Sequence, residues 1–307
     1  MLARLQQVMV AATVAAALGW LAWCLKAGLG PGAMAAGVLV ALVPQLPLLA
    51  LEFALLAAFG RDPAAPRASA TDLLRSWVGE VLASWQVFNW RQPFFAAREA
   101  DLPGRPGATG VLLVHGYFCN RGVWSPWLRR LRQRGVPCTA LTLEPAFGRI
   151  EDWAGAIDAA VVALWQSTGR APLVVAHSMG GLAVRAWLAR QGDGAAADAR
   201  VRRVLTIGSP HQGTWMARFG HTPNARQMRP GGRWLAELAA AEPPARRARF
   251  TCFYGHGDNI VFPATLATLD GADNRHLAAV AHVAMVQHEA VFTEACRWLQ
   301  PAPGDLQ

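Results

Sequence analysis

Charge is scarce in this chain of 307 residues: Asp, Glu, Lys and Arg together make 16%, while hydrophobic residues reach 53%. An ordinary soluble protein carries roughly 25% charged residues, so part of this chain is expected to sit in lipid. Lysine is all but missing. Lys26 is the only one, and the net charge of +9 is carried by arginine. Such an excess suits either nucleic acid or an anionic membrane surface. No run of basic residues interleaved with aromatics is present to mark a nucleic-acid site, so the membrane is the expected partner and nucleic acid is not. Paired cysteines are also lacking. Cys24, Cys119, Cys138, Cys252 and Cys296 are scattered and odd in number, without the short spacing that a zinc site or redox dithiol requires. Cys24 falls in an apolar segment, Cys138 and Cys252 in strand-like runs, and most of the five read as buried thiols. No internal repeat is visible. The length allows one large domain or two small ones, with ample core.

What is abundant is apolar sequence at the N-terminus. Residues 8–25 carry no charge and follow a short basic start; their length fits a membrane span of about 20 residues. Gly28, Gly30, Pro31 and Gly32 then break the helix. A second apolar run covers residues 33–59, in which Pro44 and Pro47 should introduce a kink. Glu52 within it is costly at membrane depth unless it lies near an end or faces a partner. The reading is a transmembrane hairpin over residues 1–60, with spans at about 8–25 and 33–59. A cleaved signal peptide ending near Ala27 is the alternative, but 18 apolar residues are long for a signal core and a second run follows at once. Arg4 precedes the hairpin, Lys26 alone sits in its turn, and Arg61, Arg67 and Arg75 follow, which places both ends in the cytoplasm. Residues 61–107 form a linker and a helix. Leu74, Trp77, Val78, Val81, Trp85 and Phe88 recur at helical spacing after a cap at or beside Thr71. That apolar face either packs on the domain that follows or lies at the headgroup level.

From residue 108 the pattern changes. Apolar runs at 111–114, 138–143, 173–176, 201–207 and 250–254 read as strands, and helical segments at 126–132, 153–165, 182–190 and 286–299 fall between and after them. Such alternation predicts an α/β domain with a parallel sheet covered on both faces by helices. In these sheets ligands meet the carboxyl ends of the strands.

Chemistry concentrates at Ala176-His177-Ser178-Met179-Gly180. A strand, a serine between small residues and a helix form a sharp turn that lifts Oγ above the sheet and aims the free helix N–H groups at whatever is attacked. At the end of the first strand, His115-Gly116-Tyr117 lets the N–H of Tyr117 face the same cavity as the N–H of Met179, making an oxyanion hole. His115 is expected to brace that loop. An orienting acid should follow a later strand. Asp258 in Gly257-Asp258 is the choice, with Asp270 and Asp273 as rivals. The base should come last. His276, His282 and His288 all lie between the acid and the final helix, and spacing alone does not choose among them.

Val114-His115-Gly116, the elbow around Ser178, Gly257-Asp258 with Ile260-Val261, and Ala281-His282-Val283 resemble the α/β-hydrolase fold, in particular its bacterial lipases and esterases. Gly208 to Thr214 and Gln227 to Gly231 are similar to further segments of that family. The resemblance covers residue 108 onward and excludes the N-terminal hairpin. It implies an α/β-hydrolase domain over 108–307, with a mostly parallel sheet, helices on both faces and a short cap at about 215–249. It implies Ser178 as nucleophile, His282 as base and then acid, and Asp258 as orienter. Tyr117 and Met179 would bind the oxyanion through their main-chain amides, while Phe118, His177 and His211 line the substrate pocket. The family often has Gly where this chain has Ala281. No metal or cofactor is required. The expected protein is a serine hydrolase of carboxylic esters, small-molecule or lipid, anchored in the bacterial inner membrane. Acyl transfer or thioester cleavage by the same triad is the alternative within enzymes, and a non-catalytic membrane adaptor the alternative outside them.

Overall fold

The computed structural model describes residues 1–192 and 194–300, so the last seven residues of the domain read as 108–307 lie outside it. The first apolar run is a single helix, α1 (Leu2–Lys26), long and apolar enough to cross a membrane and only 11% buried over its most apolar window. The second run is not one continuous span. It forms α2 (Pro31–Leu42) and α3 (Gln45–Phe59), bent by 69°. The break falls at Val43, because a residue before proline is disfavoured in helical conformation, and Pro44 serves as the N-cap of α3. Helix α3 then docks on the following domain. Phe53 and Leu56 pack against Phe262 and Ala281, and Glu52 accepts a hydrogen bond from Asn259 at 2.6 Å. Of the two settings expected for Glu52, near an end or facing a partner, this contact is the second.

Helix α4 (Ala70–Ser84) begins at Ser69 rather than Thr71. Ser69 and Asp72 cap each other's main-chain amides reciprocally, and that capping box decides the start. Its orientation is the reverse of a core helix. Ser76, Glu80 and Ser84 are the buried residues, whereas Leu74, Val78 and Leu82 are 60%, 46% and 60% exposed. A π-helical segment, Trp85–Arg91, continues it.

Six parallel strands form the sheet: β1 (Val111–Val114), β2 (Cys138–Ala140), β3 (Leu173–His177), β4 (Arg203–Ile207), β5 (Phe250–Tyr254) and β6 (Asp273–His276), in the order β2-β1-β3-β4-β5-β6. Side chains alternate across a pleated strand, and both faces are apolar here. Leu112, Val114, Val174, Ala176 and Val204 pack under α5 (Ala154–Thr168) and α6 (Met179–Arg190). Val111, Leu113, Leu173, Val175 and Leu205 face α7 (Glu289–Leu299) and the helix Ser125–Gln133. Five strands match the expectation from sequence. The edge strand β6, Asp273-Asn274-Arg275-His276, has no apolar residue to mark it and is held by pairing with β5 and by Arg275 to Glu294. The final helix starts at Glu289, because residues Ala284–Gln287 form a separate 3-10 turn.

Candidate active site

Strand β3 runs into His177 and α6 starts at Met179, which leaves Ser178 alone between them at φ 55°, ψ −132°. A left-handed φ at a non-glycine residue is strained, and here the surroundings enforce it. Ser178 N–H donates to the Ile207 carbonyl at 2.8 Å. The turn fits only because its neighbours are small: a Cβ on Gly180 would lie 2.6 Å from the His115 carbonyl oxygen, and one on Gly116 2.6 Å from the Ser178 Cβ.

Of the three histidines in question, only His282 reaches the expected acid. Its Nδ1 lies 3.0 Å from both oxygens of Asp258. Asp258 is itself fixed by the N–H groups of Ile260 and Val261, 2.9 and 2.8 Å from Oδ1. His288 instead caps α7, accepting from the Ala290 N–H, and His276 pairs with His256 at 3.0 Å. The rival acids are also elsewhere: Asp270 is exposed beside Arg247, and Asp273 pairs with Arg275. The end of β4 links the pair to the serine's strand. A Cβ on Gly208 would stand 2.9 Å from Asp258 Oδ2 and 3.1 Å from His282 Nδ1, while the preceding Ile207 holds Ser178. The His282 ring bonds through Nδ1, and among the described residues neither its Nε2 nor the Ser178 hydroxyl has a hydrogen-bond partner. Burial pulls the His282 pKa down. The charge of Asp258 and its hydrogen bond, with smaller effects of Glu80 and Glu52, outweigh burial and leave it above 6.5.

His177 lies under this pair, 2% exposed, its ring 4.7 Å from that of His282 and its Nε2 3.1 Å from the His282 carbonyl. Burial, then the neighbouring His282 charge, hold His177 well below 6.5, so it is neutral and donates from Nε2. His211 is 3% exposed. Its Nε2 meets Thr206 Oγ1 at 2.9 Å, and its carbonyl accepts from Arg185 at 2.9 Å, a guanidinium paired with Glu242. Both histidines were expected to line a pocket. The Nε2 of each is hydrogen-bonded within the protein, whereas His177 Nδ1 is buried with no hydrogen-bond partner among the described residues.

At the other side of Ser178, His115 braces the loop after β1. Its Nε2 accepts from the Leu143 N–H at 2.9 Å, so Nδ1 carries the proton and donates to the Gly116 carbonyl at 2.9 Å. Burial drives its pKa down to about 4. Tyr117 and Met179 lie on the two sides of the serine, and among the described residues neither main-chain N–H has a partner. Phe118 follows at φ 55° and packs with Phe88 and Phe147. Its carbonyl accepts from Gln6 of α1 at 3.3 Å, and Gln92 receives the Asn120 N–H at 2.8 Å. Residues 215–249 form short helical segments, including Pro223–Gln227 and Arg233–Ala240. Thr222 there meets the Tyr117 hydroxyl at 3.5 Å. Among the described residues, no group of three His, Cys, Asp or Glu is placed to hold a metal ion.

One acidic residue at this site, Glu80, escaped the sequence, and the role of Glu52 in holding Asn259 was not foreseen. Glu80 of α4, 1% exposed, accepts from the N–H groups of Val283 and Ala284 at 2.9 to 3.0 Å. Asn259, held by Glu52, accepts the His282 N–H at 3.2 Å. The available signal was a glutamate on the otherwise uncharged stripe Ser76, Glu80, Ser84.

The model of the "Alpha/beta hydrolase family" matches residues 111–303, well over half of the chain. Among solved structures, the mature lipase BlEst2 of Bacillus licheniformis superposes with TM-score 0.55 at 17% identity, over 64% of this chain and 94% of that one. Lipase B of Aspergillus fumigatus gives TM-score 0.53 at 18% identity, over 62% of this chain and 51% of that one, so the match spans about half of the fungal protein. At such identities the likeness is one of fold. No curated protein matches the sequence.

Proposed function

The chain belongs to the alpha/beta hydrolase family, and on that premise we propose that it is a membrane-associated serine hydrolase of carboxylic esters. Ser178 is the nucleophile, His282 the base and then the acid, and Asp258 the orienter. The observation that carries this reading is the His282 Nδ1 bonded at 3.0 Å to an Asp258 already fixed by two main-chain amides, with the elbow serine beside it. A carboxylate on Nδ1–H keeps the proton there, so Nε2 is the atom free to accept the Ser178 proton. Oγ attacks the acyl carbon, and the carbonyl oxygen takes the negative charge between the Tyr117 and Met179 N–H groups. One such donor contributes roughly 3 kcal/mol. His282 returns the proton to the departing alcohol, and an ester now joins Ser178 to the acyl group. Water then gives a proton to Nε2, attacks the same carbon and releases the acid and the free serine. The chemistry requires Oγ and Nε2 to come within hydrogen-bond reach when substrate is bound, a contact that commonly tightens only in the complex.

Membrane association rests on α1 and on the outward apolar face of α4. The arginines at the base of the hairpin and the lone Lys26 in its turn support a catalytic domain on the cytoplasmic side of the inner membrane, with α1 and the bent pair α2 and α3 as its tether. Substrates are then small-molecule or lipid esters reached at the membrane surface. A fluorophosphonate probe tests the chemistry. Full-length protein in detergent is expected to be labelled once and Ser178→Ala not at all; labelling that persists in S178A rejects the assignment.

A further inference from the structure

We propose that Glu80 is a positioning residue for His282, supplied to the site by a helix outside the hydrolase domain. The inference rests on the proposed roles of Ser178, His282 and Asp258. It starts from the geometry of α4, which buries Ser76, Glu80 and Ser84, packs Leu73 and Trp77 beside them, and exposes Leu74, Val78 and Leu82. A helix of that composition gains little from burying Ser76, Glu80 and Ser84 against an apolar core. A buried carboxylate is costly unless it is fully hydrogen-bonded. Glu80 meets that requirement with main-chain amides only: Oε1 and Oε2 take the N–H of Val283, and Oε2 also takes that of Ala284. These are the two residues directly after His282, at the start of the turn Ala284–Gln287, so Glu80 acts as an N-cap supplied from 203 residues away.

The consequence is positional and electrostatic together. The His282 main chain is held on one side by Asn259, which Glu52 secures, and on the other through Val283 by Glu80. Both glutamates precede residue 111, where the family match begins. Burial pushes the Glu80 carboxyl up to about 7, with the Val283 and Ala284 amides drawing it back. The groups whose charges act on it are His282 and Asp258, and the Cys119 thiol feels its charge in turn. Ionised Glu80 also favours the imidazolium form of His282. Removing the charge while keeping the shape should therefore loosen the ring and lower its pKa at once.

The test uses full-length protein in detergent, with ester turnover measured against pH and the His282 ring titrated by NMR after labelling the imidazole nitrogens. Glu80→Gln is expected to lower kcat on the order of 10- to 100-fold, the scale of a small misplacement at a reacting group, with KM changed less than about two-fold. Its His282 titration should move to lower pH. Leu131→Ala, a cavity in the core on the Ser125–Gln133 helix, should destabilise the protein without moving the titration. Normal kcat and an unmoved titration in E80Q overturn the proposal, as does an equal shift in L131A. Should E80Q not fold, Glu80→Asp, one methylene short, carries the test: reduced kcat at unchanged KM supports the role and wild-type kcat rejects it. A wild-type protein that hydrolyses no ester would refute the proposed function alone, because the His282 titration would still decide the part played by Glu80.

Discussion

Replacing Asp258 by Asn removes one charge and alters one atom, yet the structure makes it a severe lesion. Oδ1 accepts from the Ile260 and Val261 N–H groups at 2.9 and 2.8 Å, while Oδ2 faces only His282. The two main-chain donors dictate which end of an asparagine is oxygen, so the new NH2 must take the place of Oδ2. It then points a donor at Nδ1, which already donates. The ring resolves the conflict by changing tautomer: Nδ1 accepts and Nε2 carries the hydrogen. An Nε2–H cannot take a proton from Ser178. A triad whose tautomer is reversed in this way loses about 10⁴ in kcat, or roughly 5 kcal/mol of barrier at ~1.4 kcal/mol for each ten-fold change. The loss should be in kcat rather than KM, because Asp258 is 1% exposed and meets no substrate. Stability should change little, since the asparagine oxygen keeps both main-chain bonds. Turnover of a chromogenic ester from about pH 5 to about pH 9, beside a thermal melt, measures both. A folded D258N within ten-fold of wild-type kcat would refute the tautomer argument and with it the role given to Asp258.

Gly208→Ala should also reduce kcat, by about 10- to 100-fold, because the new methyl would lie 2.9 Å from Asp258 Oδ2 at a φ of +55°; titration of initial rates shows whether KM stays fixed as expected. The acid limb of kcat/KM should have its midpoint above pH 6.5: His282 must be neutral to act, Asp258 outweighs burial and raises its pKa, and activity therefore grows as pH rises through that value. A midpoint below 6.5 counts against the pairing. Nitroxide labels at positions 74, 78 and 82, on the exposed face of α4, should relax with dissolved oxygen in anionic vesicles rather than with a water-soluble paramagnetic reagent; the reverse preference would place that face in water.

The sheet could be read from sequence because its strands are buried on both faces and hence apolar throughout, as in Val111–Val114 and Leu173–His177. Strand β6 was invisible for the opposite reason: its four residues are all polar and its energy comes from an edge pairing. The elbow was legible because a sharp turn admits only small neighbours, a requirement that leaves a mark in Ala176 and Gly180. The base was not. His276, His282 and His288 have similar local settings, and the distinction lies in a contact with Asp258 across 24 residues, which no local spacing encodes. The assignments of His177 and His211 came from the family resemblance, which does not reveal that the Nε2 atoms meet the His282 carbonyl and Thr206.

Helix α4 shows where periodicity misleads. The pattern Leu74, Val78, Leu82 states that one face is apolar, and in water an apolar face turns inward because burial contributes about 25 cal/mol per Å². The pattern cannot state which solvent the other face meets. Here the fully buried residues are Ser76, Glu80 and Ser84, with Leu73, Trp77 and Ala83 packed beside them, so only part of the apolar pattern turns inward. Two physical conditions would make this arrangement stable together: a donor-rich loop after His282 that satisfies Glu80, and, on the proposed membrane association, an apolar medium outside for Leu74, Val78 and Leu82. Neither suffices alone. Without the loop, the carboxylate would be buried and unpaired; without lipid, three large side chains would face water beside an uncovered α1. On the proposed membrane association, the same helix would link the lipid surface to the histidine, since its exposed apolar face and the Glu80 side that holds Val283 belong to one element.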